Sequence, residues 1–472
     1  MNESPLMELT KRKHRVHFVG IGGIGMSGIA EVLLNLGFPV SGTDLAASET
    51  TERLARLGAV ITLGHHGDRV APDVEVVVIS SAVRFANPEV VRARELSIPV
   101  IPRAEMLAEL MRMKTGIAVA GTHGKTTTTS LLAHVLAEAR LDPTMVIGGK
   151  VKGLGSNARL GQGTLLVAEA DESDGSFLVL TPTIAIVTNI DPEHLDHYGS
   201  VERMHEAYLQ FINRVPFYGL AVLCLDSVAV RGLLPGVRKR HRTYGFAGDA
   251  DLQAVHVQVA TDGTRCDVLE RGRWIGELRL RMFGRHNALN ALAVTAAATE
   301  LGVPFPVIAA ALASFEGIDR RFEVRGEVGG VTVVDDYGHH PEEVKATLRA
   351  AREGFGRRLV AVFQPHRYTR TRDLFESFLS AFDDADLLVL TEIYAAGEDR
   401  IEGVSGEALY EALKRRGHAD VRFVADRRAI AAELVPHLRG GDMVVTLGAG
   451  DVHRVGDELL RALQQEQPAS LQ

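Results

Sequence analysis

Two glycine-rich turns, each set between a short β-branched run and a helical pattern, constrain this chain more than any other feature. The first, Gly20-Ile21-Gly22-Gly23-Ile24-Gly25, follows His17-Phe18-Val19 and opens a helix that runs through residue 36. Glycines there permit a tight turn and let backbone N–H groups at a helix N-terminus approach a pyrophosphate. Gly20, Gly22, Gly23 and Gly25 are therefore expected to hold a nucleotide diphosphate. Asp44, closing the next strand, stands near the place where an acidic residue meets a ribose hydroxyl. The pattern does not name the nucleotide, and a turn used only for helix–strand packing has the same spelling.

The second turn is Gly121-Thr122-His123-Gly124-Lys125-Thr126-Thr127, after the strand pattern 116–120 and before a helix over 130–139. Backbone amides of such a loop cradle phosphate oxygens, Lys125 can reach the β- and γ-phosphates, and Thr126 can offer a hydroxyl to Mg²⁺. Val119 stands where the full G-x-x-x-x-G-K-T pattern has its first glycine. A dehydrogenase would need only the first turn. A chain with both is expected to bring a nucleotide-bearing substrate to a nucleoside triphosphate.

Around these turns, short β-branched runs alternate with helical patterns, as in βαβ units on parallel sheets. Strands are expected at 39–43, 76–80, 98–101, 164–168, 183–188 and 220–223, with helices at 50–57 and 104–113. Segment 250–283 reads differently, with alternation at 254–259 and 277–282 that suggests antiparallel strands. The run 287–300 contains neither Gly nor Pro and reads as a helix. Further strands are expected at 331–335, 359–363, 387–391, 421–424 and 443–447, and a frayed tail at 464–472. The expected fold class is α/β in three domains: a Rossmann-like domain over 1–113, a P-loop-like ATPase domain over 114–319, and a second Rossmann-like domain over 320–472.

Composition narrows the function classes. The 472 residues are 46% hydrophobic and 24% charged, which excludes a disordered or low-complexity chain. Lys and Arg total 52 against 60 Asp and Glu, a net charge of −8 that argues against nucleic acid or an anionic membrane as a partner. Cys224 and Cys266 are too few for a disulfide framework or thiolate metal site, and a reducing cytoplasm is the expected setting. Basic residues from Lys11 to Arg15 precede an apolar run, but six glycines and Glu31 interrupt it, unlike a signal peptide.

Two acidic clusters follow strand ends. Glu169, Asp171, Glu172 and Asp174 form the first, and Asp191, His194, Asp196 and His197 the second. Carboxylates facing a phosphate loop suit Mg²⁺, and His194 becomes a plausible ligand beside Glu169.

Taken together, these segments resemble the Mur ligase family. The resemblance rests on Gly-Ile-Gly-Gly-Ile-Gly-Met-Ser-Gly (20–28), Gly-Thr-His-Gly-Lys-Thr-Thr-Thr-Thr (121–129), Glu-Ala-Asp-Glu-Ser-Asp (169–174) and Thr-Asn-Ile-Asp-Pro-Glu-His-Leu-Asp (188–196). It continues through Phe-Gly-Arg-His-Asn-Ala-Leu-Asn-Ala (283–291), Asp-Asp-Tyr-Gly-His-His-Pro (335–341) and Gln-Pro-His-Arg-Tyr-Thr-Arg-Thr-Arg (364–372). It implies ATP-dependent amide formation between L-alanine and the lactyl carboxylate of UDP-N-acetylmuramate, through an acyl phosphate, with ATP and two Mg²⁺ ions. The first domain would hold the UDP-sugar, the second ATP, and the third the amino acid.

Carried over residue by residue, the resemblance places Lys125 on the γ-phosphate, and Thr126, Glu169 and His194 on metal. His286, Asn287 and Asn290 would sit near the adenine, and Arg321 and Asp336 would border the nucleotide. Tyr337, His339, Arg367 and Arg370 would bind or orient alanine and the sugar carboxylate, while His340 and His366 are packing or supporting residues. Several family members carry a carbamylated lysine after the Asp-His loop. Here 205–209 has no lysine, which agrees with the alanine-adding branch and counts against the later-acting ligases. The nearest rival is a recycling ligase that attaches a peptide to the same sugar nucleotide. A nucleotide-sensing protein without ligase activity is a further alternative. Whether the chain acts as a monomer or homodimer is left open.

Overall fold

The computed structural model describes residues 13–80, 82–147, 158–418 and 420–466. Lys11 and Arg12 of the basic run and residues 467–472 of the expected tail lie outside them. The chain divides into two compact units, one formed by 1–255, 268–276 and 289–312, the other by 256–267, 277–288 and 313–472.

The first unit contains two sheets. In the N-terminal one, β1 (Val16–Val19), β2 (Val40–Asp44), β3 (Val60–Leu63), β4 (Val76–Ile79) and β5 (Val100–Pro102) are ordered β3-β2-β1-β4-β5, all parallel. Strands are added outward from β1 first on one side and then on the other, so its C-terminal end is the topological switch point at which such sheets bind ligands. The glycine turn 20–25 lies there, and the helix Ile24–Asn35 follows it.

The second sheet contains β6 (Thr115–Ala120), β7 (Thr144–Val146), β8 (Ala158–Arg159), β9 (Leu165–Glu169), β10 (Ile184–Val187), β11 (Leu220–Cys224) and β12 (His241–Gly245), in the order β12-β11-β10-β6-β9-β7-β8. Its central strands read as unbroken apolar runs and are buried along their length, as a sheet covered on both faces requires. β13 (Leu252–Ala260), β14 (Gly263–Glu270) and β15 (Arg273–Leu280) lie side by side, and residues of each belong to both compact units.

In the second unit, β16 (Glu323–Val328), β17 (Val331–Asp336), β18 (Leu359–Phe363), β19 (Leu387–Leu390), β20 (Val421–Phe423) and β21 (Met443–Leu447) are ordered β16-β17-β21-β18-β19-β20. Only β16 runs antiparallel, to β17. The period of two divides this sheet's side chains between two cores. Ala361, Phe363, Leu388, Leu390, Val445 and Leu447 pack with Phe378 and Phe382. Val360, Val362, Leu387, Val389 and Val444 pack with Ile430, Val455 and Leu459 on the other face.

The elements expected from the sequence are present, with differences where local signals were weak. The strands β3, β7, β8, β12, β14 and β16 were not anticipated; β3 is half exposed and β7 and β8 have only three and two residues. The helix after the second glycine turn begins at Lys125, five residues earlier than expected, because Gly124 at φ +82° turns the chain directly into it. Residues 464–466 are not frayed: they close the helix His453–Glu466, whose Val455 and Leu459 sit in the core. Among the described residues, no helix is long and apolar enough to cross a membrane.

Candidate active site

The first glycine turn, the phosphate loop, Glu169 and Asp336 fall at the C-terminal ends of parallel strands, whereas Arg321 precedes the antiparallel β16 and His286, Asn287 and Asn290 lie on the helix Arg285–Glu300. After β1, the N–H groups of Gly20 and Ile21 donate to the carbonyl of Thr43 on β2 at 2.8 and 2.9 Å, which fixes the turn against its neighbour strand. Asp44 accepts from the Gly22 N–H at 2.8 Å through Oδ2 and from the Leu45 N–H at 2.8 Å through Oδ1. In this structure it therefore braces the turn. The helix N-terminus at Gly23 has no side-chain cap, which leaves its first amides available to an anion.

Beneath the turn lies a polar network that the sequence did not suggest. Glu89 is fully buried and accepts from Thr43 Oγ1 at 2.9 and 2.8 Å, with His17 Nε2 at 2.9 Å and His65 Nδ1 at 3.0 Å. Burial works to raise the Glu89 carboxyl, but His17 and Thr43 outweigh it and hold it below the ordinary carboxylate value. Arg103 was also missed. Its Nη2 lies 3.0 Å from Asp171 Oδ2, while its Nη1 occupies the space a Cβ on Gly25 would need. Sequence distance hides both groups, since Glu89 and Arg103 lie far along the chain from the motifs they support.

The phosphate loop follows β6. Gly121, at φ +134°, passes so close to Thr188 Oγ1 that no side chain could stand there, and Gly124 lies against Asn290 Oδ1. Asn189 clamps the loop: its side chain accepts from the His123 N–H at 2.8 Å and donates to the His123 carbonyl at 3.0 Å. His123 Nε2 lies 3.3 Å from Asp191 Oδ2, and Thr122 Oγ1 accepts from the Asp191 N–H at 2.9 Å. Lys125 Nζ donates to the carbonyls of Gly121 at 2.7 Å and Thr122 at 3.1 Å, and to Glu172 Oε1 at 2.7 Å. Burial works to lower the Lys125 ammonium, but Glu172 outweighs it, and the group is held above its ordinary value with smaller help from Asp171 and Glu169. Burial in turn pushes the Glu172 carboxyl up to about 7 against the pull of Lys125. The sequence singled out the acidic run but not Glu172 within it as the lysine's partner.

Glu169 closes β9 and His194, at φ +57°, caps a four-residue helix after β10. Asp171 is held below the ordinary value, since Ser173, Arg103 and Lys125 together outweigh the effect of burial. The side chain of Asp196 lies outside the described residues. Among those described, no three His, Cys, Asp or Glu side chains converge as a ready metal cage. Thr126, Glu169 and His194 offer a hydroxyl, a carboxylate and an imidazole, and Mg²⁺ prefers oxygens, keeps waters and takes one or two protein groups beside substrate phosphates.

In the second unit, Asp335 and Asp336 end β17, and after β21 the Gly448 N–H donates to the Asp336 carbonyl at 3.2 Å. Asp336 accepts from the N–H groups of Phe322 at 2.7 Å and Gly338 at 2.8 Å. Burial pushes its carboxyl up to about 6 despite these donors and Arg321. Arg320 and Arg321 both lie over the Tyr337 ring, at 5.0 and 5.3 Å. Tyr337 contacts His339 edge-on with ring centroids 5.4 Å apart. His339 is 5.7 Å from His366, and His366 stacks on Tyr394 at 5.6 Å. Arg370 Nη1 lies 3.3 Å from His366 Nδ1. Arg367, at φ +71°, is half exposed, and its Nη1 is 3.9 Å from Glu398 Oε1. Tyr337, His339, Arg367 and Arg370 are thus gathered as expected, with Arg320, His366 and Tyr394 joining them. His340 caps the helix Pro341–Phe355.

His286 and Asn287 start the helix Arg285–Glu300, which also carries Asn290. His286 lines an open pocket of about 430 Å³ with Glu342, Lys345 and Arg349. Asn287 Nδ2 donates to the Phe283 carbonyl at 2.8 Å, and Phe283 packs against Phe322, next to Arg321.

Glycine turns after β1 and β6, with a third and mostly parallel sheet in the second unit, make this a three-sheet α/β protein. Residues 15–115 match the family model for the Mur ligase family, catalytic domain. Residues 119–298 match the Mur ligase middle domain, and 320–450 the Mur ligase, glutamate ligase domain. The chain belongs to the Mur ligase family. It is 61% identical over 453 residues to a UDP-N-acetylmuramate–L-alanine ligase of Anaeromyxobacter sp. (strain Fw109-5), covering 96% of this chain and 98% of that one. It is 58% identical over 463 residues to the ligase of the same name from Myxococcus xanthus, covering 98% of each. Among solved structures, the UDP-N-acetylmuramate-alanine ligase of Thermotoga maritima superposes with a TM-score of 0.80 at 31% identity, covering 96% of this chain and 100% of that one. A murein peptide ligase from Psychrobacter arcticus superposes with a TM-score of 0.69 at 25% identity, covering 95% and 98%.

Proposed function

We propose that this chain is a cytoplasmic ligase that uses ATP to join L-alanine to the lactyl carboxylate of UDP-N-acetylmuramate, in peptidoglycan precursor synthesis. The observation that carries the reading is the pairing of identity near 60% over almost the whole chain to ligases of that name with a phosphate loop whose lysine is partly buried and held charged by Glu172.

A carboxylate resists attack by an amine until one oxygen becomes a leaving group. The lactyl carboxylate attacks the γ-phosphorus, the bond to the β–γ bridging oxygen breaks, and ADP leaves. The alanine amine then adds to the acyl carbon, and the tetrahedral intermediate expels phosphate. Lys125 and the amides of 121–127 hold the phosphoryl oxygens as charge shifts among them, so positioning and electrostatic stabilisation do most of the catalytic work. Thr126, Glu169 and His194 would hold Mg²⁺, which screens the triphosphate from the anionic nucleophile. Gly20, Gly22, Gly23, Gly25 and Asp44 receive the UDP-sugar. His286, Asn287, Asn290, Arg321 and Asp336 border the nucleotide. Arg367 and Arg370 offer guanidinium forks to carboxylates, with Tyr337 and His339 orienting the amino acid. The domains assigned are 1–113, 114–319 and 320–472.

The test is phosphate release from ATP and Mg²⁺, with UDP-N-acetylmuramate and with or without L-alanine. Release that requires both substrates is expected, and chelation of the metal should stop it. Release only with a tripeptide as the amine would assign the recycling reaction instead. Lys125→Ala should abolish turnover while leaving UDP-sugar binding intact.

A further inference from the structure

The hydrogen-bond capacity of Lys125 is taken up by the protein itself. An ammonium has three protons to donate, and here they go to the Gly121 carbonyl, the Thr122 carbonyl and Glu172 Oε1. A phosphate can engage Nζ only by taking the place of one of these acceptors. The two carbonyls belong to the loop itself. Glu172 is the only anion of the three, and its distance of 2.7 Å is that of a charge-assisted bond.

Glu172 is held in place by the fold. It is 3% exposed, its carbonyl accepts the Tyr198 hydroxyl, and its N-terminal neighbour Asp171 is paired with Arg103. Its second oxygen, Oε2, is buried with no hydrogen-bond partner among the described residues. Such an atom is costly to leave unsatisfied, and Lys125 supplies the hydrogen bond that the other oxygen, Oε1, accepts.

We propose that Glu172 is a positioning residue that stands in for nucleotide phosphate on Lys125: it holds the ammonium within the loop and yields it when the triphosphate binds. The proposal rests on the reading of 121–127 as the ATP loop. It predicts a trade between affinity and turnover. With Glu172 the lysine is pre-placed and charged, but nucleotide must break an ion pair to bind. Without that charge the lysine is a stronger partner for phosphate and a less well-placed one.

The experiment measures ATP dissociation constants by titration calorimetry on the full-length chain, for wild type, Glu172→Gln, Lys125→Met and the double variant. UDP binding serves as the check on folding. Glu172→Gln should bind ATP about tenfold more tightly, the equivalent of one charge-assisted bond, and kcat should fall while KM for ATP falls with it. In the Lys125→Met background the Glu172 substitution should change ATP affinity less than twofold, since a contact-mediated effect vanishes when its partner is gone. Glu172→Asp, with its charge withdrawn by one methylene, should lie between and serves if the Gln variant does not fold. Unchanged or weaker ATP binding in Glu172→Gln would overturn the proposal, as would an equal effect in both backgrounds. If Lys125→Met alone leaves ATP affinity untouched, the assignment of the ATP loop itself is wrong.

Discussion

Arg103 sets its Nη2 3.0 Å from Asp171 Oδ2 and its Nη1 against the backbone of Gly25. One guanidinium therefore touches the turn expected to carry the sugar nucleotide and the acidic run beside the phosphate loop. The ion pair itself is partly exposed and contributes little to stability. Its consequence is placement of positive charge where a diphosphate would lie. Arg103→Ala should raise KM for UDP-N-acetylmuramate about tenfold, the worth of one charge-assisted bond, with a smaller change in kcat. Arg103→Lys should recover only part of the loss, because an ammonium cannot address both sides. Steady-state kinetics at saturating ATP and alanine decide it, and an unchanged KM would refute the assignment.

Gly121 offers a test of the loop's shape. Its φ of +134° is a conformation that side chains rarely adopt, and a Cβ there would collide with Thr188 Oγ1, which itself donates to the His123 carbonyl at 2.6 Å. Gly121→Ala should cost about 2 kcal/mol in stability and weaken ATP binding at least tenfold, since strain and clash both act on the same loop. Chemical denaturation gives the first number and ATP titration the second. Gly37, also at positive φ but with open space around its Cβ position, should show the strain alone when changed to Ala and leave ATP binding unaltered.

The Glu89 network connects a buried charge to the first turn. Thr43 donates to Glu89 through its hydroxyl and accepts from Gly20 and Ile21 through its carbonyl. Glu89→Gln leaves His17 and His65 without their anion and should destabilise the chain by roughly 3 kcal/mol. KM for the sugar nucleotide should rise as the turn loosens. Because the folded carboxyl is held below its unfolded value of 4.5, its stabilising effect is present above that value and fades as pH falls past it. Wild type should lose stability below about pH 4.5, and the Gln variant should lose less over the same range. Equal acid sensitivity of the two would count against the network.

Sequence exposed the parts of the site in which chemistry and local geometry coincide. The glycine turns are legible because tight turns demand glycine, and Lys125 because it stands at a fixed place within one. Tyr337, His339, Arg367 and Arg370 lie in contiguous stretches after buried strands, so their gathering follows from the parallel sheet. What escaped is what tertiary packing brings in from a distance. Glu172, Arg103 and Glu89 act on residues 47, 78 and 46 positions away, counting Glu172 to Lys125, Arg103 to Gly25, and Glu89 to Thr43. Nothing in their immediate sequence distinguishes a buried partner from a solvated charge. Short edge strands such as β8 escaped for the opposite reason: two residues carry too little pattern to register.

His366 gives a prediction with a defined pH window. Its ring stacks on Tyr394 and faces His339 and Arg370. Burial, then the positive charge of those neighbours, holds the imidazole down at about 3. It is therefore neutral at physiological pH, and Arg367 and Arg370 remain the cations offered to carboxylates. A histidine with a depressed folded value contributes full stability above its unfolded value of 6.5. Below that, the unfolded chain takes up a proton that the folded chain refuses, and stability drains as pH falls toward 3. His366→Asn keeps a polar side chain without this liability. Between pH 6.5 and 4, wild type should lose on the order of 1–2 kcal/mol more than the variant, after discounting for the ring's partial exposure. Denaturant midpoints taken across that range check it, and parallel pH profiles would mean that His366 is protonated in the folded chain as readily as in the unfolded one.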